Sequence, residues 1–215
     1  MTAMQVPSVS AVSDVLALWG DDGWLTPPLQ PAVAASSPVV GRAVTVLLEV
    51  ADAGAGLAPL YDVLSSDLRD CVVVIAGAAD APGAVWGEIL TLAAQRQGAV
   101  GVLVDGFVRD VPDVAPIGMP LYSRGERVAG PNGRAHVAAV GGEVMIGGVA
   151  NAPDDRLVLD DTGCVRVHAA QLADVIDAAT RYTEGERQVV EALQSGETLD
   201  SAYRFKKSAV DELRR

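Results

Sequence analysis

Three side chains near the middle of the chain have the types and spacing for metal-assisted carbonyl chemistry: Glu88 and, after twenty intervening residues, the pair Arg109-Asp110. Arg109 offers a planar guanidinium that grips a carboxylate, or reaches an adjoining keto oxygen, through paired charge-assisted hydrogen bonds that lysine cannot reproduce. Asp110 is a hard oxygen donor, and one protein carboxylate with water and substrate oxygens is an ordinary Mg²⁺ arrangement. Such a cation acts as a Lewis acid on a keto-enolate. Glu88 is placed to orient or deprotonate a metal-bound water and so to serve as proton shuttle. Gly87 lets a ligand approach the backbone, and the free N–H groups of Ile89 and Leu90, at a helix start, form an anion site suited to a carboxylate. The same residues have a purely structural reading, an Arg-Asp or Arg-Glu ion pair beside a helix N-cap. From local sequence alone the two stand level.

The elements that must position these groups form a β-α-β unit. CVVVIAG at 71–77 is a continuous apolar strand, GEILTLAAQRQ at 87–97 has helical spacing, and AVGVLVDG at 99–106 is a second buried strand. Parallel strands put the loop before Glu88 and the turn carrying Arg109-Asp110 at one end of the sheet, where ligands of α/β folds commonly bind. Around this unit, the sequence predicts a helix over 11–19 capped near Ser13 or Asp14, a Pro-rich passage at 27–31, a β-branched strand over 39–50 and a helix over 56–69. Short β-prone pieces follow at 117–122, 135–140, 143–149, 156–160 and 164–168, as in a mixed or antiparallel sheet. A helix is expected from Ala170 through Leu193, with Leu172, Val175, Ile176 and Ala179 on one stripe. After Gly196, residues 197–215 read as one further amphipathic helix. With no repeat or linker, the expectation is a single α/β domain over 1–215.

Composition narrows the partners. Half of the 215 residues are hydrophobic, and 16 Lys+Arg against 28 Asp+Glu give a formal charge of −12. That balance, with few and scattered aromatics, argues against a nucleic-acid surface. No apolar run approaches the roughly 20 residues of a membrane span, and the acidic N-terminal stretch is unlike a signal peptide, so no membrane association and a cytoplasmic location are expected. Cys71 and Cys164 have no metal-ligand spacing and read as buried free thiols. His136 and His168 are too few for a histidine zinc site. The run AGAGLAPL at 53–60 starts like a dinucleotide loop but carries Pro59 where the third glycine belongs.

The stretch AVWGEILTLAAQRQGAVGVLVDGFVRD, residues 84–110, closely resembles the RraA-like family, which includes class II 4-hydroxy-4-methyl-2-oxoglutarate/4-carboxy-4-hydroxy-2-oxoadipate aldolases and the regulators of ribonuclease E activity. The family pattern is an acid, twenty residues, then Arg-Asp; the flanking WGE, the glycines at 98, 101 and 106 and the VRD ending match as well. Similarity extends through 39–46, 119–125, 146–167 and the final helix. The resemblance implies a β/β/α swivelling-type fold with mixed central sheets and C-terminal helices. It also implies assembly as homotrimers or hexamers with sites between subunits. It assigns the pyruvate moiety to Gly87, Glu88, Ile89, Leu90 and Arg109, and Mg²⁺ or Mn²⁺ to Asp110. The chain departs from the family in having Glu88 where aspartate is frequent, Pro153-Asp154-Asp155 where Pro-Gly-Asp is usual, and His168 where proline is common.

The expected activity is therefore metal-dependent cleavage of a 4-hydroxy-2-oxo diacid to pyruvate, with oxaloacetate decarboxylation as a related reaction. Both pass through a metal-stabilised pyruvate enolate, with Glu88 and Arg109 catalytic and a small 2-oxo acid as substrate. The alternative is a non-catalytic regulator whose acidic surface masks a basic ribonuclease. A third activity linked to similar proteins, methyl transfer to menaquinone from S-adenosylmethionine, lacks the Gly-rich loop and acidic ribose ligand it needs.

Overall fold

A computed structural model describes residues 6–26, 28–52, 54 and 56–214; Ala53 and Ala55 of the glycine-rich run lie outside them. In chain order the elements are α1 (Val9–Leu18), β1 (Gln30–Val33), β2 (Val39–Val50), α2 (Ala58–Val63), β3 (Cys71–Ala76), α3 (Glu88–Arg96), β4 (Gly101–Val108) and α4 (Val111–Val114). There follow β5 (Leu121–Glu126), β6 (Ala135–Val140), β7 (Val144–Ile146), β8 (Val149–Asn151), β9 (Arg156–Asp160), β10 (Gly163–Val167), α5 (Leu172–Gln194), α6 (Leu199–Ala202) and α7 (Arg204–Leu213).

The two uninterrupted apolar runs become the centre of the sheet. Every residue of β3 is buried, as is nearly all of β4, because both faces are covered. Strands β2, β3, β4 and β5 run parallel to one another in that order, and antiparallel strands complete the sheet as β1-β5-β4-β3-β2-β9-β10. The length of β2 lets one edge serve twice: Val39–Arg42 pairs with β9 and Val46–Val50 with β6. Trp24 bridges to Val165 of β10 shortly before β1 joins β5, so the 24–33 stretch links the two outer strands and the mixed sheet is nearly closed. Helices α2 and α3 cover one face, with Leu60, Leu64 and Ala94 against Val73, Ile75, Val102 and Val104. The β7–β8 hairpin covers the other face with Val144, Ile146 and Val149. Helices α1 and α5 pack on β9 and β10 through Val12, Leu16, Val175 and Ile176. Burying side chains of this kind contributes about 1.5–3 kcal/mol each, so the sheet holds its two faces together through side-chain packing.

Several expectations shift. The helix at 56–69 is confined to α2, because Ser65 and Ser66 turn their hydroxyls back onto the Tyr61 and Val63 carbonyls and end it. The C-terminal helix divides at Tyr203 into α6 and α7, which fold back along α5. The segment 143–149 is a hairpin turning at Gly147-Gly148, and Pro31 at the end of the Pro-rich passage lies in the edge strand β1, where proline is tolerated. His168 Nδ1 lies 3.1 Å from Asp155 Oδ1. Asp154 stands at φ +74°, a left-handed conformation that suits glycine and that aspartate tolerates. Both cysteines are buried and free, and burial pushes the Cys164 thiol up to about 12.

Buried polar groups fasten the sheet to its surroundings. The Asp160 carboxylate accepts from Val9 N at the start of α1 and from Thr162, while its backbone carbonyl accepts the Tyr122 hydroxyl at 2.6 Å. Burial pushes that phenol up to about 12, so it stays a donor. Tyr122→Phe leaves the Asp160 carbonyl without this donor and is expected to cost about 1–3 kcal/mol, read as a lower urea midpoint with unchanged denaturant slope.

Candidate active site

The site is built where β3 and β4 end. After β3 the chain returns at Val85–Gly87 alongside the end of β4: Val85 N donates to the Phe107 carbonyl at 2.9 Å, Arg109 N donates to the Trp86 carbonyl at 3.0 Å, and Trp86 and Val108 form a parallel bridge. Trp86 is buried, and its Nε1 donates to Thr91 Oγ1, which donates in turn to the Gly87 carbonyl. Helix α3 is thus anchored to the strand at its first turn. Gly98, at φ +93°, closes its other end.

Gly87 is the N-cap of α3 in an extended conformation and has no side chain with which to cap it. Among the described residues, the N–H groups of Glu88, Ile89 and Leu90 have no hydrogen-bond acceptor, so the positive end of the helix is open. A Cβ on Gly87 would stand 2.7 Å from Asp110 Oδ2 and 3.1 Å from Arg109 Cγ, which makes glycine the only residue that fits without displacing them. Asp110 sits at φ +60°, ψ +29°, caps α4 through its carbonyl, and turns its carboxylate toward Arg109, whose Nε is 3.3 Å from Oδ2. The two side chains, Arg109 and Asp110, are 46% and 41% exposed. Non-glycine residues held in this conformation concentrate at functional sites.

These groups open onto a cleft of ≈ 510 Å³. Glu88, Arg109, Asp110 and the Gly87–Leu90 backbone line one side; Leu57, Tyr61 and Leu64 from around α2, with Ala93, line the other. The structure therefore brings every sequence-selected position into one cavity. It adds two features that sequence reasoning missed: the apolar wall, and the turn at 129–131, which approaches Arg109 so closely that a Cβ on Gly130 would lie 3.3 Å from Nη1. The Gly130–Gly133 turn residues were the available signal for the latter.

A family model described as Aldolase/RraA matches residues 9–166. The chain belongs to the RraA-like family. This RraA-like chain is similar to Protein DlpA of Legionella pneumophila, 26% identical over 192 residues covering 89% of the chain. It spans only about a third of that relative, 31% of its length. It is 27% identical over 183 residues to a Halalkalibacterium halodurans protein named "Putative 4-hydroxy-4-methyl-2-oxoglutarate aldolase", with 84% of this chain and 82% of that one covered. An uncharacterized protein from Pseudomonas syringae pv. tomato superposes with a TM-score of 0.82 at 32% identity, over 92% of this chain and 89% of the other. Streptomyces coelicolor RraAS2, described as an unusual member of the RNase ES inhibitor RraA protein family, superposes at 0.75 with 25% identity, covering 84% and 90%.

No three His, Cys, Asp or Glu side chains converge as a metal cage among the described residues. The donor set nevertheless fits a hard cation that keeps most of its ligands as water and substrate: Asp110 Oδ2 is shared with Arg109, while Oδ1 has no protein partner among the described residues. Gly87→Ala is expected to leave the thermal midpoint near wild type, since the Asp110 side chain can swing away. On the expectation that the cleft takes pyruvate together with Mg²⁺, it should weaken that binding by about tenfold or more, as displacements near 1 Å do in such sites; thermal melts and calorimetric titration read the two effects. Asp110→Gly relieves a conformation that costs a side-chain-bearing residue roughly 1 kcal/mol. Its thermal midpoint should equal or exceed wild type, while Mg²⁺-dependent binding, on the same expectation, disappears.

Proposed function

We propose that this chain is a divalent-metal-dependent lyase that cleaves 4-hydroxy-2-oxo acids, the 4-hydroxy-4-methyl-2-oxoglutarate type among them, to pyruvate, and decarboxylates oxaloacetate at the same site. The observation that carries this reading is the convergence of an open helix N-terminus, a guanidinium and a hard carboxylate on one cleft. The Ile89 and Leu90 N–H groups bind the carboxylate of the pyruvoyl unit. Arg109 holds that carboxylate or the neighbouring keto oxygen and balances negative charge as it develops there. Asp110 holds Mg²⁺ or Mn²⁺, which when bound supplies Lewis acidity at the keto group.

Glu88, exposed at the mouth with no protein partner among the described residues, takes the proton of the 4-hydroxyl. The C3–C4 bond then breaks, C4 becomes a carbonyl, and the electron pair passes into the pyruvate enolate. Return of the proton to C3 releases pyruvate. In oxaloacetate the same electron flow expels CO₂. Assembly as a homotrimer or hexamer with sites between subunits is part of the proposal, supported by Ile89, 76% exposed at the edge of the cleft, and Leu92, 43% exposed beside it.

The similarity to RraAS2 and the charge of −12 favour a second reading, a regulator that contacts a basic ribonuclease without catalysis. A coupled pyruvate-release assay with Mg²⁺, corrected for decarboxylation by free metal, separates the two. Metal-dependent turnover is expected, abolished by chelation, with Arg109→Ala reducing kcat/KM by roughly 10²–10³-fold and Arg109→Lys recovering little. No turnover above background on either compound from folded protein would favour the regulator.

A further inference from the structure

Residues 77–87, between β3 and α3, form no helix or strand, yet they deliver Gly87 against the Arg109-Asp110 turn with no room for a Cβ. Fixing irregular backbone costs conformational entropy, so contacts from elsewhere in the chain must hold this connection in place.

The segment after β5 supplies them. Arg127 N continues the strand pairing by donating to the Val108 carbonyl at 2.9 Å, and the Arg127 side chain reaches the connection, where Nη1 donates to the Ala81 carbonyl at 2.7 Å. The same guanidinium lies 3.7 Å over the Phe107 ring. Two residues on, the Ala129 carbonyl accepts Ala84 N at 2.8 Å, and a Cβ on Gly83 would collide with the carbonyl oxygens of Ala129 and Gly130. Phe107 is the residue whose own carbonyl receives Val85 N. One side chain therefore touches both partners of the pairing that builds the site, the returning chain at Ala81 and β4 at Phe107. Ala81 is buried, and among the described residues no other donor reaches its carbonyl. A charged donor makes that bond stronger than a neutral one would, and a cation over an aromatic face is attracted to it.

Resting on the lyase reading of this site, we infer that Arg127 is a positioning residue: it braces the β3–α3 connection against the end of β4 and so holds the open N-terminus of α3 and the Arg109-Asp110 turn at their working separation. Arg127 is not among the residues that line the cleft, and it acts through Ala81 and Phe107. These contacts lie within one chain, so the brace is the same whatever a neighbouring subunit adds to the cleft. Lysine lacks the planar fork that lets one group donate to Ala81 while its face rests on Phe107.

The test uses the purified protein in the assembly it adopts, as wild type, Arg127→Met, Arg127→Lys and Tyr122→Phe. Methionine keeps much of the stem and removes both donor and charge. Amide hydrogen exchange at Val85 and Arg109 is compared with exchange at Val73 and Val74 in the middle of β3, Mg²⁺-dependent pyruvate release gives kcat/KM, and light scattering gives the mass of the assembly. In Arg127→Met, exchange at Val85 and Arg109 is expected to quicken about tenfold or more while the β3 amides and the mass stay as in wild type. Its kcat/KM should fall about tenfold to a hundredfold, the scale on which small displacements of positioned groups act. Arg127→Lys should fall between the two, and Tyr122→Phe, which weakens the fold elsewhere, should keep wild-type kcat/KM. Unchanged exchange at Val85 and Arg109 in Arg127→Met overturns the inference. So does a loss of turnover that comes with an altered mass, with equally faster exchange in β3, or with a comparable loss in Tyr122→Phe. A wild type without turnover overturns the lyase reading instead, and the exchange rates then decide the brace by themselves.

Discussion

The site depends on a backbone pairing that involves no catalytic side chain. Where β4 ends, the strand-like return at Val85–Gly87 exchanges hydrogen bonds with Phe107 and Arg109. That pairing fixes the distance between the start of α3 and the Arg109-Asp110 turn. Gly87 is then bound to be glycine, because Asp110 and Arg109 occupy the space of its Cβ. The left-handed conformation of Asp110 follows from the same constraint: the chain must turn abruptly into α4 while its carboxylate stays beside the guanidinium. Buried Trp86 holds the arrangement from beneath through Thr91.

Electrostatics divides the cleft in two. Its polar side joins an open helix N-terminus and one guanidinium to two acids, a balance that suits one small anion accompanied by a divalent cation. The opposite side belongs to the hydrophobic core and shares Leu64 with it. The two sides thus come from different elements: the β3-α3-β4 unit supplies the polar one, and the neighbourhood of α2 the apolar one.

Much of this was legible in the sequence for local reasons. Parallel buried strands announce themselves as unbroken apolar runs, and residues just beyond their carboxyl ends must share one end of the sheet, so the runs alone are enough to group Glu88, Arg109 and Asp110. The strand over 39–50, a β-branched run, and the pieces at 135–140 and 156–160, set off by Gly, Pro and Asp turn signals, have the observed bounds. What escaped depends on contacts far apart in the chain. Nothing near Asp160 indicates that it receives Val9 N, 151 residues away. Buried Arg166 and Asp21 likewise become partners only when β10 meets the segment after α1. The apolar wall was hidden because α2 is short and its leucines look like any core residues. The break at Tyr203 lies within a segment whose amphipathic pattern gives no sign of it.

The anchor of α3 has a consequence for how the site breathes. Amides of Val85 and Arg109 belong to the sheet and exchange with solvent only when the end of β4 opens, whereas those of Ile89 and Leu90, one turn away, are unprotected. The molecule therefore places fast-exchanging and slow-exchanging backbone within a few residues of each other, on opposite sides of Gly87. A ligand at the helix N-terminus needs to order very little. Its binding entropy is spent on its own immobilisation rather than on folding the protein around it.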